Sequence, residues 1–333
     1  MSPQTLGFLL GALGVLVFGG SLPMTRLAVA ALDPWFVTMA RPGIAGLLAA
    51  IVLIALRRRL PERATCIRLF GAGLCLVWGW PGLTNFAMRS LPAAHGGVVA
   101  GLLPLATSVA AALILRERPP LGFWLCAVGG AALVVGFALR AGGGHFEPAD
   151  GLLLTAVVIC AVGYVIAGDL STRMPGWEVT SWMLVVMLPL SLPGTILLWP
   201  THPAAIPLPS WAGFAYIALL SQYLGFFAWN AGLALGGVAR VSQVQLLQTF
   251  VTLSFAWLIN GEPLDPLAFA VAACVLVLIL GARQSRASAP TSPSSDLFRG
   301  SRGEVDPKRS EGAGERKGPS ERKGPSERKG LGD

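Results

Sequence analysis

The residues able to do chemistry in this chain are amides, hydroxyls and aromatic rings set inside apolar runs. Trp78 and Asn85 stand seven residues apart, and so do Tyr223 and Asn230. That spacing puts each ring and its amide on one face of a helix. Trp229 lies beside the second amide, and Tyr164 stands in another apolar run. Ser242, Gln245, Thr249 and Thr252 follow at spacings of three, four and three, with Gln243 and Gln248 beside them. They form one polar stripe along a helix. Arg41 lies about six residues inside a further apolar run, roughly 9 Å from its start at 1.5 Å per residue. The chemistry open to such a set is recognition rather than bond making. Amides would hydrogen-bond a polar solute and rings would pack on it in a central cavity. A guanidinium would attract an anionic or carboxylate group. The same residues have a second use. Amides can join helices, rings can sit at the membrane interface, and an arginine can snorkel to the outer surface. Both readings stand at this level.

A catalytic set is not legible. His95, His145 and His202 fall at or near expected loops, and neither His-Glu-x-x-His nor Gly-x-Ser-x-Gly occurs. Asp169, in Ala-Gly-Asp-Leu, lacks the second intramembrane aspartate that an aspartyl site needs. It is expected at a helix end, paired with Arg173. The stretch 145–150 (HFEPAD) is expected to be a loop rather than a cation site. Cys66, Cys75, Cys126, Cys160 and Cys274 are scattered with no paired spacing, so neither a disulfide framework nor a metal cluster is implied. The expectation is a protein that is not an enzyme, with no metal and no cofactor.

The elements that must position these residues follow from composition. Of 333 residues, 54% are hydrophobic and 13% charged, against about 25% charged in soluble domains. A soluble chain of this size could not cover its core with so little polar surface. The chain is therefore expected to be an all-α integral membrane protein. A bilayer core of about 30 Å takes about 20 apolar residues as a helix. With that ruler the sequence predicts about ten transmembrane helices, near 6–27, 35–56, 68–88, 95–115, 121–139, 151–170, 179–199, 211–234, 238–259 and 264–282. The first run has no preceding Lys or Arg, so it is expected to be a retained span rather than a cleaved signal. Pro23, Pro81, Pro104 and Pro189 fall within spans, where a missing donor kinks a helix. The runs 97–101 (GVVAG) and 232–236 (GLALG) are Gly-x-x-x-Gly patterns that permit close helix packing.

Charge sets orientation. Arg57, Arg58, Arg59, Arg63 and Arg68 crowd the loop after the second span. Arg116, Arg118, Arg173 and Arg240 fall on the same side as both termini. The richer side is cytoplasmic by the positive-inside rule, so both termini are expected in the cytoplasm. A net charge of +8 would suggest nucleic acid in a soluble protein. Here it marks loops and a tail, and no nucleic-acid partner is expected. The tail, 283–333, holds 12 Lys+Arg and 8 Asp+Glu and ends in ERKGPS repeats. It offers too few apolar residues to offset the entropy of ordering, and is expected to be a disordered basic cytoplasmic tail.

The chain also repeats itself. A shift of 145 carries Trp78 onto Tyr223, Asn85 onto Asn230, Ala94 onto Ala239 and Glu117 onto Glu262. Both glutamates end an apolar run ahead of a proline and read as structural; Glu117 has arginines beside it and Glu262 has no base nearby in the chain. Residues 33–39 (DPWFVTM) echo 175–181 (PGWEVTS) at a shift of 142. The implied units are a first five-helix repeat at 5–141 and a second at 150–282. Five spans each would invert one copy relative to the other, as in many carriers, whose substrate site lies where the repeats meet.

On these residues the chain resembles the EamA-repeat transporters of the drug/metabolite transporter (DMT) superfamily. The helix ends RERP and NGEP, and Phe18, Gly19, Ser21, Arg26 and Arg41 in the first two spans, carry the resemblance over about residues 5–282. It implies a secondary transporter of alternating-access type in the cell (inner) membrane, moving a small organic metabolite such as an amino acid outward. The partners implied are that small-molecule substrate and the lipid bilayer; nothing marks an oligomeric state. The rival class is a non-transporting polytopic scaffold or sensor, which would need no wet midplane.

Overall fold

The computed structural model describes residues 2–114, 116, 119–141, 143–237, 241 and 243–287. The expectations placed on Glu117, Arg118, Ala239, Arg240 and Ser242, and on the tail beyond residue 287, lie outside the described residues.

Among the described residues, nine helices are long and apolar enough to cross a membrane. They are α1 (Pro3–Val29), α2 (Pro34–Ala55), α3 (Arg63–Ala87), α4 (Ala93–Ile114), α5 (Leu121–Ala141), α6 (Pro148–Leu170), α7 (Gly176–Leu197), α8 (Leu208–Gly236) and α10 (Pro266–Ser285). The shorter α9 (Val244–Asn260) completes the series. Local chemistry starts and stops them. Asp33 caps α2 by accepting from the N–H groups of Trp35 and Phe36, with Pro34 in the first turn. Glu147 and Asp150 form a reciprocal capping box at α6. Gly261 takes the left-handed conformation that ends α9.

Two of the four prolines do not bend a continuous helix; they open a new segment. Pro23 lies in the first turn of Ser21–Val29, after α1 breaks at Gly20. Pro104 is second in Leu103–Ile114, after the turn at Gly101 and Leu102. The first turn has no intrahelical donor to lose, so proline is tolerated there. Pro81 and Pro189 stay inside unbroken helices, Pro189 with Pro193 four residues on. In α3 the segment ahead of Pro81, Leu74–Gly79, is π-helical, and α8 is π-helical over Tyr216–Leu224. A shift of 145 relates these two widened stretches in part, although α8 carries no proline there to explain its own.

Consecutive helices run antiparallel, as the cross-links at each end show. One end joins Ser210 Oγ to the Leu27 carbonyl at 2.9 Å and Asn260 Nδ2 to the Pro23 carbonyl at 3.2 Å. The other joins Arg68 to Asp169 and Arg58 Nε to Glu178 at 3.3 Å. α1 packs along α8 and α6 along α3, while α2 lies on α7, α4 on α9 and α5 on α10. Large side chains such as Phe36, Phe123, Leu184, Met187 and Ile217 fill the interior. Ile51, Ile54, Leu125, Val128, Ile196 and Val277 point outward. That apolar exterior suits hydrocarbon, and helices satisfy their own backbone groups there.

Both Gly-x-x-x-Gly runs lie at close crossings. A Cβ on Gly232 would come 2.6 Å from the backbone N of Gly11, so α8 and α1 touch backbone to backbone. Gly97 and Gly101 of α4 lie under Thr252 and Thr249 of α9.

Candidate functional site

A cavity of about 1150 Å³ opens between the helices. Ala272 and Arg283 of α10 both line it; eleven residues of helix make it roughly 16 Å long. It reaches the end of the bundle that carries Ser171, Pro175 and Arg283.

Six of the nine residues expected to face a cavity line this one: Arg41, Tyr164, Trp229, Asn230, Gln245 and Gln248. α9 turns its stripe inward, with Thr249 and Thr252 beside the two glutamines. Asn230 lies against the first residue of α7, since a Cβ on Gly176 would meet its Oδ1 at 2.6 Å. Aromatic packing holds the wall. Phe18 meets Phe226 at 4.8 Å and Trp229 at 6.5 Å, and Trp177 stacks on Phe227 at 6.0 Å. Arg58 sits 5.3 Å over the Trp177 ring.

Trp78, Asn85 and Tyr223 are not part of the lining; each joins helices. Trp78 Nε1 donates to Ser191 Oγ at 3.0 Å, and the Tyr223 hydroxyl lies 2.9 Å from Ser181 Oγ. Both partners belong to α7. Asn85 is fully buried and donates from Nδ2 to Thr38 Oγ1 of α2 at 2.9 Å. Helical spacing told which face each side chain shares, but not what stands opposite. Asn85→Ala removes a helix-joining bond worth about 1 kcal/mol in a membrane protein. The thermal midpoint in detergent should fall by about 2 °C, measured against wild type.

Arg41 does not snorkel. Its side chain is 4% exposed, and one Nη donates to Ser221 Oγ at 3.3 Å. Ser221 Oγ in turn lies 2.9 Å from Ser21 Oγ, so α2, α8 and α1 are tied at the inner part of the cavity. Ser21 and Trp177 line the cavity too; the first lies in the stretch that carries the resemblance and the second in the internal echo, and neither signal points to a cavity, since a serine and a tryptophan near helix ends are ordinary in membranes.

Charge ties helices together at the far end. Glu262 accepts from the N–H of Ala93 at 2.7 Å and of Ala94 at 2.8 Å, and its Oε1 lies 3.3 Å from Arg26 Nε. Glu262 therefore has a base beside it after all, contrary to its surroundings in the chain: α1 brings Arg26 across. Arg26 also donates to the Leu91 carbonyl. One turn into α4, His95 Nε2 lies 2.7 Å from Asp150 Oδ1, both side chains buried. Asp150 thus belongs to a helix rather than a loop, and His95 lies in α4. At the opposite end Asp169 meets Arg173 at 3.7 Å and also Arg68. Among the described residues no group of three His, Cys, Asp or Glu could hold a metal ion.

The EamA-like transporter family matches residues 5–139 and again 148–283. The chain is 42% identical over 284 residues to the uncharacterized transporter YdeK of Bacillus subtilis (strain 168), covering 85% of this chain and 99% of that one. It is 25% identical over 260 residues to protein PecM of Dickeya dadantii (strain 3937), covering 73% and 84%. A crystal structure of a protein 22% identical to it superposes with a TM-score of 0.57, over 86% of this chain and 99% of that one.

Proposed function

The chain belongs to the EamA-like transporter family, and from that premise we propose that it is an alternating-access exporter of a small organic metabolite, an amino acid or a compound of similar size. The observation that carries the reading is the cavity itself: about 1150 Å³, polar along α9 and aromatic along α8, reaching one end of the bundle and shut at the other. Ligand pockets run to about 300–1,000 Å³, so a metabolite fits with some water. Arg57, Arg58, Arg59 and Arg63 gather at the end the cavity reaches, which makes that end cytoplasmic by the positive-inside rule. Both termini then lie in the cytoplasm, the protein spans the cell (inner) membrane, and the cavity loads from within, the first step of export.

Two inverted halves, 5–141 and 150–282, supply the moving parts in this reading. The packing of α1 on α8 repeats as α6 on α3, and α2, α4 and α5 each pack on the span five places later. The paired amides sit in opposite circumstances. Asn85 is locked to Thr38 near the shut end, while Asn230 is free to meet solute near the open end. Rocking one half against the other would exchange those roles.

The test is a metabolite profile of the medium. Cells expressing wild type are compared with cells expressing Trp229→Ala/Asn230→Ala at equal membrane levels. Wild type should enrich at least one metabolite outside, and the double variant should lower that enrichment by about tenfold, the loss of one ring and one amide contact. No enrichment by either protein would favour the scaffold or sensor reading.

A further inference from the structure

We infer that the cavity selects organic solutes bearing a carboxylate or another single anionic group, seated on Arg41, and rejects organic cations. The inference rests on the carrier reading and names its substrate class.

Among the described residues, Arg41 is a buried charge without a counter-charge. Its side chain is 4% exposed. None of the ion pairs among the described residues includes it, and no Asp or Glu among them lines the cavity. Its hydrogen bond goes to a neutral hydroxyl at 3.3 Å, while Nε is buried with no partner. A guanidinium offers five N–H donors in a rigid fork, so most of its capacity is unspent. Charged groups at membrane depth are costly and ordinarily pair or mark a substrate path. The missing partner is supplied if the solute brings an anion, since the fork matches a carboxylate in two parallel bonds.

The rest of the lining fits a compact anion with an apolar body. Ser221 accepts from Arg41, Ser21 lies against Ser221, and Gln222 follows Ser221 in the wall. The hydroxyls can donate to a carboxylate oxygen that the guanidinium leaves free. Phe18, Trp80 and Phe226 offer rings to the body of the solute. Arg283 gives the cytoplasmic mouth a second positive charge, held by Gln243 Oε1 at 2.8 Å. A field of one sign focused by low-dielectric walls concentrates anions and repels cations. A zwitterionic amino acid would seat its carboxylate but find only neutral acceptors for its ammonium group among the described residues of the wall. The expected order is therefore organic monoanion, then zwitterion or neutral solute, then cation.

The experiment uses the purified full-length chain in detergent. Three probes of one shape are titrated: 4-methylpentanoate, 4-methylpentan-1-ol and 4-methylpentylamine. The readout is the fluorescence of the cavity tryptophans Trp80, Trp177 and Trp229. The acid should bind wild type about tenfold more tightly than the alcohol, and the amine more weakly still. Arg41→Gln should bring acid and alcohol within about threefold, and Arg41→Lys should keep part of the preference because it retains the charge without the fork. If Arg41→Gln does not fold, the ranking by wild type and Arg41→Lys decides. An amine bound as well as the acid, an acid preference intact in Arg41→Gln, or no charge-dependent binding of the probes at millimolar concentration would overturn the inference. Binding does not require rocking. Loss of the acid preference with export intact sinks this inference alone, and an intact preference without export sinks the carrier reading alone.

Discussion

Glu262→Ala should release the shut end of the bundle and expose the cavity to the outside. The carboxylate accepts two backbone N–H groups at the start of α4 and pairs with Arg26 of α1. A helix N-terminus carries positive partial charge, and hydrogen bonds to a charged group contribute about 1.5–3 kcal/mol each. The three contacts are coupled, and part of their gain is recovered by water when the end opens. A net loss of about 2–3 kcal/mol is the reasonable expectation, or about 30–150-fold in the ratio of shut to open states. The measurement needs Ser21→Cys, which lies on the cavity wall, in a background without the free cysteines Cys66, Cys75, Cys126, Cys160 and Cys274. An impermeant maleimide added outside intact cells should label Ser21→Cys at least about tenfold faster when Glu262 is alanine. Glu262→Gln should fall between, since it keeps an acceptor and loses the charge. Equal labelling of all three would mean that other contacts keep the end shut.

Gly232→Leu should cost the protein its fold rather than its selectivity. A Cβ on Gly232 would stand 2.6 Å from the backbone N of Gly11 and 2.9 Å from its Cα. Neither atom belongs to a flexible side chain that can turn away, so α1 and α8 must separate along their length. Overpacking of this kind costs about 3 kcal/mol, and here the separation also loses the Gly7–Gly236 contact one turn on. The thermal midpoint should fall by about 6 °C or more, with most of the protein aggregated on size exclusion. Gly7→Leu should behave alike. Gly136→Leu is the control, because nothing lies within 4 Å of a Cβ there. Three equally stable variants would show that the α1–α8 contact is dispensable.

The spans were legible because lipid imposes one simple demand on a chain: a run of apolar residues long enough to cross. The Gly-x-x-x-Gly runs were legible as close-packing surfaces for the same local reason, yet nothing in them named α1 or α9 as partner. Arg41 shows the limit more sharply. Its depth could be counted along the helix, but snorkelling and cavity lining differ only in which neighbours surround it. The aromatic–amide pairs were found by spacing, and their halves proved unlike: Asn230 lines the cavity while Asn85 bonds Thr38. Asp150 falls in a short polar stretch between apolar runs, which usually is a loop. Capping by Glu147 instead draws Asp150 into α6 and onto His95.

An all-helical membrane protein of about ten spans, and the side chains that share each helix face, can be read along the chain alone. Both follow from interactions within one segment, its hydrophobicity and its 3.6-residue period. Which faces meet depends on contacts between helices far apart in the chain. Arg26 reaches Glu262 across 236 residues of chain, Ser21 reaches Ser221 across 200, and Arg41 is left beside a cavity whose wall holds no carboxylate among the described residues. Those outcomes depend on how close two backbones can come, which glycines, serines and threonines on several helices settle together.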